Sequence, residues 1–391
     1  MDSRIKRAGI LSVYDKAGII DDYVIYLASS LHKIVSKLII VVNGTLSRDG
    51  CQALLQISDT VILRENKGFD GGAYKEILTA RSKLWNLQEY DELILCNDTC
   101  YGPFRPLEVI WERMDQEESQ ADFWGMNEIQ NGLTDHMQGY FLVFRKKLLE
   151  KGVLQEYFHE HVNENCQDLR EMIASFEKGL FLFLREQGYL HASYIERNNL
   201  NIYEYGDVLL KEYRFPFLKK KCFDPAFNRY HSSLATSIEW IRSETDYPLP
   251  YLLNHAKRVY GYSPDQIISA KGDAQTISDV RPMPQAVRPF RIGHKELERF
   301  IKQSESVYLY GCGKYAIELY LLYLQDNHKL KGFLVSDNQL HAPQQFYDLP
   351  VLRLSELDQN VRQRIIVAAG SIAANEIRNH LSETEDVLFI C

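Results

Sequence analysis

At 391 residues the chain is long enough for two or three domains, and its 45% hydrophobic and 25% charged residues are ordinary for a globular protein. A formal charge of −8 argues against nonspecific binding to nucleic acid. The seven cysteines are scattered without Cys-x-x-Cys spacing, and read as reduced thiols of a cytoplasmic protein rather than a disulfide framework or a zinc site. The charged amino terminus, Asp2 to Arg7, does not read as a signal peptide, and no run of about 18 apolar residues predicts a spanning helix.

Ala8 to Val13 predicts a strand that ends at Tyr14-Asp15 and Gly18. Ile19 to Ser36 carries apolar residues at helical spacing, and Leu38 to Val42 is a β-branched strand closed by Asn43-Gly44. Arg48 to Ile57 predicts a short helix, and Thr60 to Leu63 a third strand. A polar loop from Arg64 to Gly72 then leads into a helix over Ala73 to Leu84, and Leu93 to Cys96 forms a fourth, buried strand. Apolar strands alternating with helical patterns predict a mostly parallel sheet with helices on both faces. In that arrangement the loops carrying Tyr14-Asp15, Asn43, Arg64 to Gly72 and Asn97-Asp98 emerge at one edge, where open α/β sheets bind ligands.

Asn97-Asp98-Thr99 follows the buried strand directly. Two readings are open: Asp98 holds a divalent cation that in turn holds a sugar diphosphate, or Asn97 and Asp98 only shape a turn. The stretch containing Gly68, Asp70, Gly71 and Gly72 either lets backbone approach a phosphate at a helix start, with Arg64 and Lys75 supplying charge, or is a surface turn. It matches neither the dinucleotide fingerprint nor a Walker loop. His136 and Gln138 alternate before the strand Phe141 to Phe144, so they face one way and either line a pocket or serve the structure. Leu148 to Val162 and Asp168 to Gln187 read as helices. Glu177 stands before an apolar helical turn, suited to base chemistry or to stabilising the helix dipole.

Several ordered motifs together resemble the rhamnan synthesis protein F family. They are Tyr14-Asp15-Lys16-x-Gly18, Arg64-Glu65-Asn66-x-Gly68-Phe69-Asp70-x-Gly72-Ala73-Tyr74-Lys75, Asn97-Asp98-x-Cys100-Tyr101-Gly102-Pro103 and His136-x-Gln138-x-Tyr140. The resemblance covers roughly residues 4 to 240 and implies a GT-A-like inverting glycosyltransferase of surface-polysaccharide assembly, typically a rhamnosyltransferase. It implies that Tyr14 and Asp15 sit at the nucleotide base, and Asn43, on a loop at the same sheet edge, is expected to serve the donor with them. It sets Asn66 to Gly72 at the diphosphate and ribose, and Asn97-Asp98 at the metal-binding Asp-x-Asp position, with one of the two usual carboxylates present. Glu177 resembles the catalytic base. The implied cofactor is Mn²⁺ or Mg²⁺, with no redox cofactor. The implied partners are a nucleotide-sugar donor such as dTDP-rhamnose and a lipid-linked or oligosaccharide acceptor, at the inner face of the membrane.

Residues 201–290 predict a helical extension and linker, with helices over Leu234 to Arg242 and Pro248 to Val259, and a linker over Ser269 to Pro289. Tyr213 to Phe223 mixes aromatic and basic residues and fits either peripheral contact with anionic lipid or a solvated basic turn. From 291 onward a small Rossmann-like α/β domain is expected, with Gly311-x-Gly313-x-x-Ala316 between a strand and a helix, Asp337 near a ribose position, and helices over Leu352 to Leu357 and Ala373 to Leu381. The expected division is thus 1–200, 201–290 and 291–391. Two alternatives to a transferase stand: an NAD-dependent enzyme of nucleotide-sugar metabolism working through the tail, and a noncatalytic assembly scaffold.

Overall fold

The computed structural model describes residues 5–81, 84–117, 120–129, 135–195, 202–203, 205–224, 231–261, 294–325, 327–339, 343–358, 363–368, 377–378, 381 and 386–390. The expected linker at Ser269 to Pro289 lies outside these, as does most of a helix expected over Ala373 to Leu381. The described residues divide into two compact units, one holding those up to Gly261 and the other those from His294 onward, with Asp135 grouped with the second.

The first unit is built on β1 (Arg7–Tyr14), β2 (Lys37–Asn43), β3 (Thr60–Arg64), β4 (Glu92–Asn97), β6 (Phe123–Ile129), β7 (His136–Met137), β8 (Phe141–Arg145) and β9 (His191–Ile195), with the short β5 (Cys100–Tyr101) beside it. The order is β3-β2-β1-β4-β8-β6-β7, and β9 also pairs with β6. The strands β3, β2, β1 and β4 are mutually parallel, β8 is antiparallel to both β4 and β6, and β9 is parallel to β6. This is the mostly parallel sheet, covered by helices, that the apolar runs predict. Period-2 alternation assigns the two faces. Ala8 and Ile10 of β1 join a core with Tyr74, Phe158 and Phe181. Leu11 and Val13 join the opposite core with Trp111, Phe217 and Leu252.

Between β1 and β2 runs helix α1 (Asp22–His32), and α2 (Arg48–Leu55) precedes β3. Helix α3 (Phe69–Lys75) begins earlier than the Gly content suggests and continues as a wide π turn through Ala80. The reason is packing: a Cβ on Gly71 would stand 2.2 Å from Met172 Sδ and 3.2 Å from Phe176 Cβ. These glycines allow one helix to lie close against another, so Asp70 and Gly72 sit in a first helical turn and not in a loop. The stretch expected as one helix from Leu148 breaks at Gly152 (φ 68°) into Lys146–Lys151 and Val153–His161. The helices His231–Glu244 and Leu249–Tyr260 put Ile238, Ile241, Leu252 and Ala256 into the same core as β1, so the helical extension is part of this unit.

The second unit is a parallel sheet in the order β14 (Leu349–Arg353), β12 (Leu330–Val335), β11 (Val307–Tyr310), β15 (Arg364–Ala368), β16 (Asp386–Ile390), with β13 (Gln345–Phe346) antiparallel on β14. Leu352 to Leu357, expected as a helix, instead completes β14 and a 3-10 turn, because Leu352 pairs with Leu334 in the sheet. Gly311 turns the chain at φ 106° ahead of a helix over Lys314–Leu319. Asp337 accepts from Ser355 through its backbone N–H (3.1 Å) and hydroxyl (2.7 Å).

At the amino end of β4, Glu92 holds the first unit's sheet to α4 (Glu108–Glu117). Its carboxylate is 4% exposed and accepts from Arg7 Nε at 2.5 Å, Trp111 Nε1 at 2.7 Å and Arg145 Nε at 3.3 Å. Removing the acid strands a buried guanidinium. We expect Glu92→Ala to cost about 3–5 kcal/mol in urea unfolding, while truncating an exposed acid such as Glu65 should leave the midpoint essentially unchanged.

Candidate active site

The chain steps outward from β1 to β2 to β3, then returns to lay β4 on the other side of β1. That reversal opens a crevice beyond the carboxyl ends of β1 and β4. Tyr14 and Asp15 leave β1 there, Asn43 ends β2, Arg64 ends β3, and Asn97-Asp98 leave β4. Because β8 is antiparallel to β4, its amino end and the preceding Gly139-Tyr140 reach the same edge, and Asn97 N–H donates to Tyr140 O at 3.1 Å.

At the centre, Asn97 Nδ2 donates to Asp70 Oδ2 (2.6 Å), and Asn97 Oδ1 accepts from the Thr99 hydroxyl (2.7 Å). Lys219 Nζ donates to Thr99 Oγ1 (3.0 Å) and stands 4.0 Å from the Tyr140 ring centroid. Glu177 faces this group. A Cβ on Gly139 would come 2.9 Å from Glu177 Cγ, so only glycine lets the carboxylate lie here. Burial, then the charge of Asp70, pushes Glu177 up from 4.5 to about 7, against Lys219, the Gly139 N–H and Lys178, which pull it down. Asp70 is itself raised by burial, despite its bonds from Asn97 and the Gly71 N–H. Two carboxyl groups that disfavour each other's charge, beside a buried ammonium, form a constellation suited to proton transfer near neutral pH.

Glu177 does not open a helix, as its sequence context suggests. The helix starts at Asp168, whose side chain caps the Arg170 N–H at 2.8 Å, and Glu177 lies inside a π turn (Ile173–Gly179) joining Leu169–Met172 to Leu180–Glu186. Such widened turns recur at functional sites.

Asp98 is buried. Its Oδ2 accepts from Lys220 Nζ at 2.8 Å and Tyr23 OH at 2.9 Å, and Lys220 also donates to Tyr23 OH at 2.7 Å. Nearby, Asp15, Asp21 and His255 bring potential ligand atoms within 4.8 Å of one another, a grouping of the kind that takes a cation. Arg258 bonds to both of those carboxylates, reaching Asp15 Oδ2 at 2.6 Å. Burial opposes ionisation of Asp15, but Arg258 and the Ile19 and Ala17 N–H groups outweigh it and lower the pKa. Burial, with Lys220 and Arg258 adding to it, lowers His255 to about 3, so its ring is neutral. Asp98, the carboxylate assigned from sequence to a metal, and Asp15 and Asp21 are thus already paired with bases.

Other residues singled out from the sequence divide into two groups. Tyr14 is 45% exposed, and a Cβ on Gly44 would stand 3.6 Å from its ring and 3.8 Å from Asn66 Cβ, so Tyr14 and Asn66 flank Gly44. Asn43 Oδ1 accepts from Arg64 Nη1 at 2.6 Å, and Arg64 also holds Lys67 O (2.9 Å) and Glu76 (2.9 Å), bracing the β3 loop. These stay at the crevice. Gly68, at φ 67°, receives the chain near Glu164, and Gly72 sits against Lys67 O. Lys75 reaches the other way, to Glu164 (2.7 Å) and Val162 O (2.7 Å). His136 is buried opposite Ile129 in β7, and Gln138 N–H donates to Asn127 O at 3.2 Å.

Lys219, Lys220, Thr99, Tyr23 and Arg258 escape the sequence reading. The basic run 219–221 resembles a solvated turn or a lipid contact, yet Phe215, Phe217, Phe223 and Lys219 are all buried. β10 (Leu218–Lys219) pairs with β5, so its aromatic neighbours face the protein core and not a lipid surface. The dense aromatic flank is the signal that marks this lysine as interior.

The chain matches the description of rhamnan synthesis protein F over residues 38–287. It belongs to the rhamnan synthesis protein F family. Virulence protein VirA of Vibrio anguillarum is 25% identical over 178 residues, covering 46% of this chain and 54% of that protein, so the chain spans about half the length of the curated relative it matches. Among solved structures, glucosyl-3-phosphoglycerate synthase from Mycobacterium tuberculosis with Mn²⁺, UDP and phosphoglyceric acid is similar at 12% identity, over 48% of this chain and 80% of that one, with a TM-score of 0.28. Mouse xyloside xylosyltransferase 1 is similar at 12% identity, over 55% and 98%, with a TM-score of 0.30. No helix among the described residues is long and apolar enough to cross a membrane.

The Asp70 and Lys219 charges act on Glu177 with opposite sign. In a ¹³C-carboxyl NMR titration, we expect Asp70→Asn to bring the Glu177 midpoint below about 7 and Lys219→Met to drive it higher.

Proposed function

We propose that this member of the rhamnan synthesis protein F family is an inverting glycosyltransferase that uses a nucleoside-diphosphate deoxysugar, with dTDP-rhamnose as the proposed donor, and extends a surface glycan. The observation that carries the reading is Glu177, raised to about 7 and placed across Asp70, Asn97 and Lys219 at the sheet's switch point. Asn66, Asp70, Asn97, Asp98, Asn43 and Arg64 would frame the donor, with Tyr14 against its base and Asp15 beside it. His136 and Gln138 are proposed for the acceptor side.

In a single displacement the acceptor hydroxyl gives its proton to Glu177 as its oxygen bonds the anomeric carbon. The bond from that carbon to the phosphate oxygen breaks, and the nucleoside diphosphate leaves with the electron pair. Glu177 near pH 7 is half ionised, which suits a base that must also release its proton. A divalent ion at the position that the family resemblance implies would have only Asp98 to hold it, and that carboxylate already accepts from Lys220 and Tyr23. The proposed acceptor is a lipid-linked glycan at the cytoplasmic face. A second reading, nicotinamide chemistry in the tail, draws on the doubly wound strand order of the second unit and the sharp turn at Gly311.

The test is a transfer and hydrolysis screen over UDP-, dTDP- and GDP-sugars with the full chain. With the donor found, kcat/KM should fall tenfold per pH unit below about 7 and level above it, since the protonated carboxyl cannot accept. Glu177→Gln should lose about 10²–10⁴-fold in kcat together with the acid limb, while donor binding stays. Raised pKa also means that ionising Glu177 opposes folding. The wild-type chain should lose stability as pH rises from 4.5 to about 7, and Glu177→Gln should flatten that slope in thermal melts.

A further inference from the structure

The crevice carboxylate assigned to a divalent ion, Asp98, and the Asp15 and Asp21 grouping beside it each meet a basic side chain instead. Asp98 has Lys220 and the Tyr23 hydroxyl on one oxygen. Asp15 and Asp21 share Arg258. His255, the third member of that grouping, has Nδ1 at 2.6 Å from Tyr101 OH. A hard divalent cation asks for six or more oxygen ligands and repels ammonium and guanidinium groups. These groups therefore do not fit Mn²⁺ or Mg²⁺ without losing their present partners.

The bases are not casual surface groups. Lys220 has a side chain only 13% exposed, and its backbone N–H donates to Thr99 O at 3.0 Å. The pairing of Lys219 with Cys100 in β10 and β5 sets both lysines beside the Asn97–Thr99 turn. Arg258 arrives on the helix Leu249–Tyr260. All three come from chain beyond β9 and fold back to the carboxyl edge. Their donors are not exhausted there. An ammonium has three N–H groups, and Lys220 uses two of them on Asp98 and Tyr23. Arg258 bonds its carboxylates through Nε and Nη2. A planar guanidinium held by two acids still presents Nη1 for a phosphate oxygen.

We infer that this chain neutralises the diphosphate of its nucleotide donor with Lys220, aided by Lys219 and Arg258, in place of a divalent metal. The inference rests on the glycosyltransferase reading. Lys220 is a binding residue here: it touches the diphosphate and stays on the protein when the nucleotide leaves. Fixed bases also pre-empt the entropy of capturing an ion from solution, and make binding depend on salt rather than on chelators.

Isothermal titration of the full chain with UDP, dTDP and GDP, each in EDTA and in Mn²⁺ or Mg²⁺, tests this. The expected result is that at least one nucleoside diphosphate binds in EDTA, with an affinity that metal changes by less than about twofold. Lys220→Met should weaken that nucleotide at least tenfold, with Lys220→Arg restoring most of it, while the parent nucleoside binds equally to all three proteins. Binding seen only with metal overturns the inference and leaves the transferase reading standing. Absence of binding in every condition overturns both. Should Lys220→Met not fold, the comparison of EDTA with metal on the unaltered chain decides alone.

Discussion

β4 runs parallel to β1 and antiparallel to β8, and this pairing decides where each polar group at the crevice can stand. Leu11 lies opposite Cys96 and Ser12 opposite Asn97 in one ladder, and Cys96 lies opposite Phe141 in the other. With all six of its residues buried, β4 has no freedom to slip. A shift of one residue would send its apolar side chains to the wrong faces. Asn97 must therefore emerge beside Tyr140, and the acid that follows must enter the space above β1. Glu92 pins the opposite end of the same strand, so the register is held at both termini.

From that fixed point the electrostatics follow. The crevice of an acidic protein collects carboxylates from β1, α3, β4 and the π turn, and the later chain returns lysine and arginine to meet them. The pairs at Asp98 and at Asp15 are settled contacts with short bonds. The Asp70 and Glu177 pair is left unsettled, with both acids raised. Structure and reactivity divide along this line: paired acids shape the site, and the pair short of compensation is the one free to exchange protons. The cost in stability is tolerable because two aromatic-rich cores flank the sheet.

The parallel half of the sheet was legible in the sequence because its strands are continuous β-branched runs between turn residues, as in Leu38 to Val42. Asp70 and Asn97 were also legible as polar residues at element ends. The role of the glycines was not: Gly71 and Gly72 look like a phosphate loop until Met172 and Lys67 are seen against them. Nor could the position of Glu177 within its helix be read, since a π turn leaves no periodic mark over so few residues. The lysines were missed for a different reason. Their meaning comes from a two-residue pairing, Leu218 with Tyr101 and Lys219 with Cys100, that joins segments more than a hundred positions apart, and no local pattern reports such a partner.

That long return has a consequence for how the protein comes into being. The sheet through β8 can assemble from the early chain, and with it the acids of the crevice. Until Lys219, Lys220 and Arg258 have left the ribosome and docked, those acids face one another without counter-charge. A nascent or truncated polypeptide would carry this cluster of acids with its negative charge uncompensated, and the bases that offset it would come only with the last-made part of the unit's described chain.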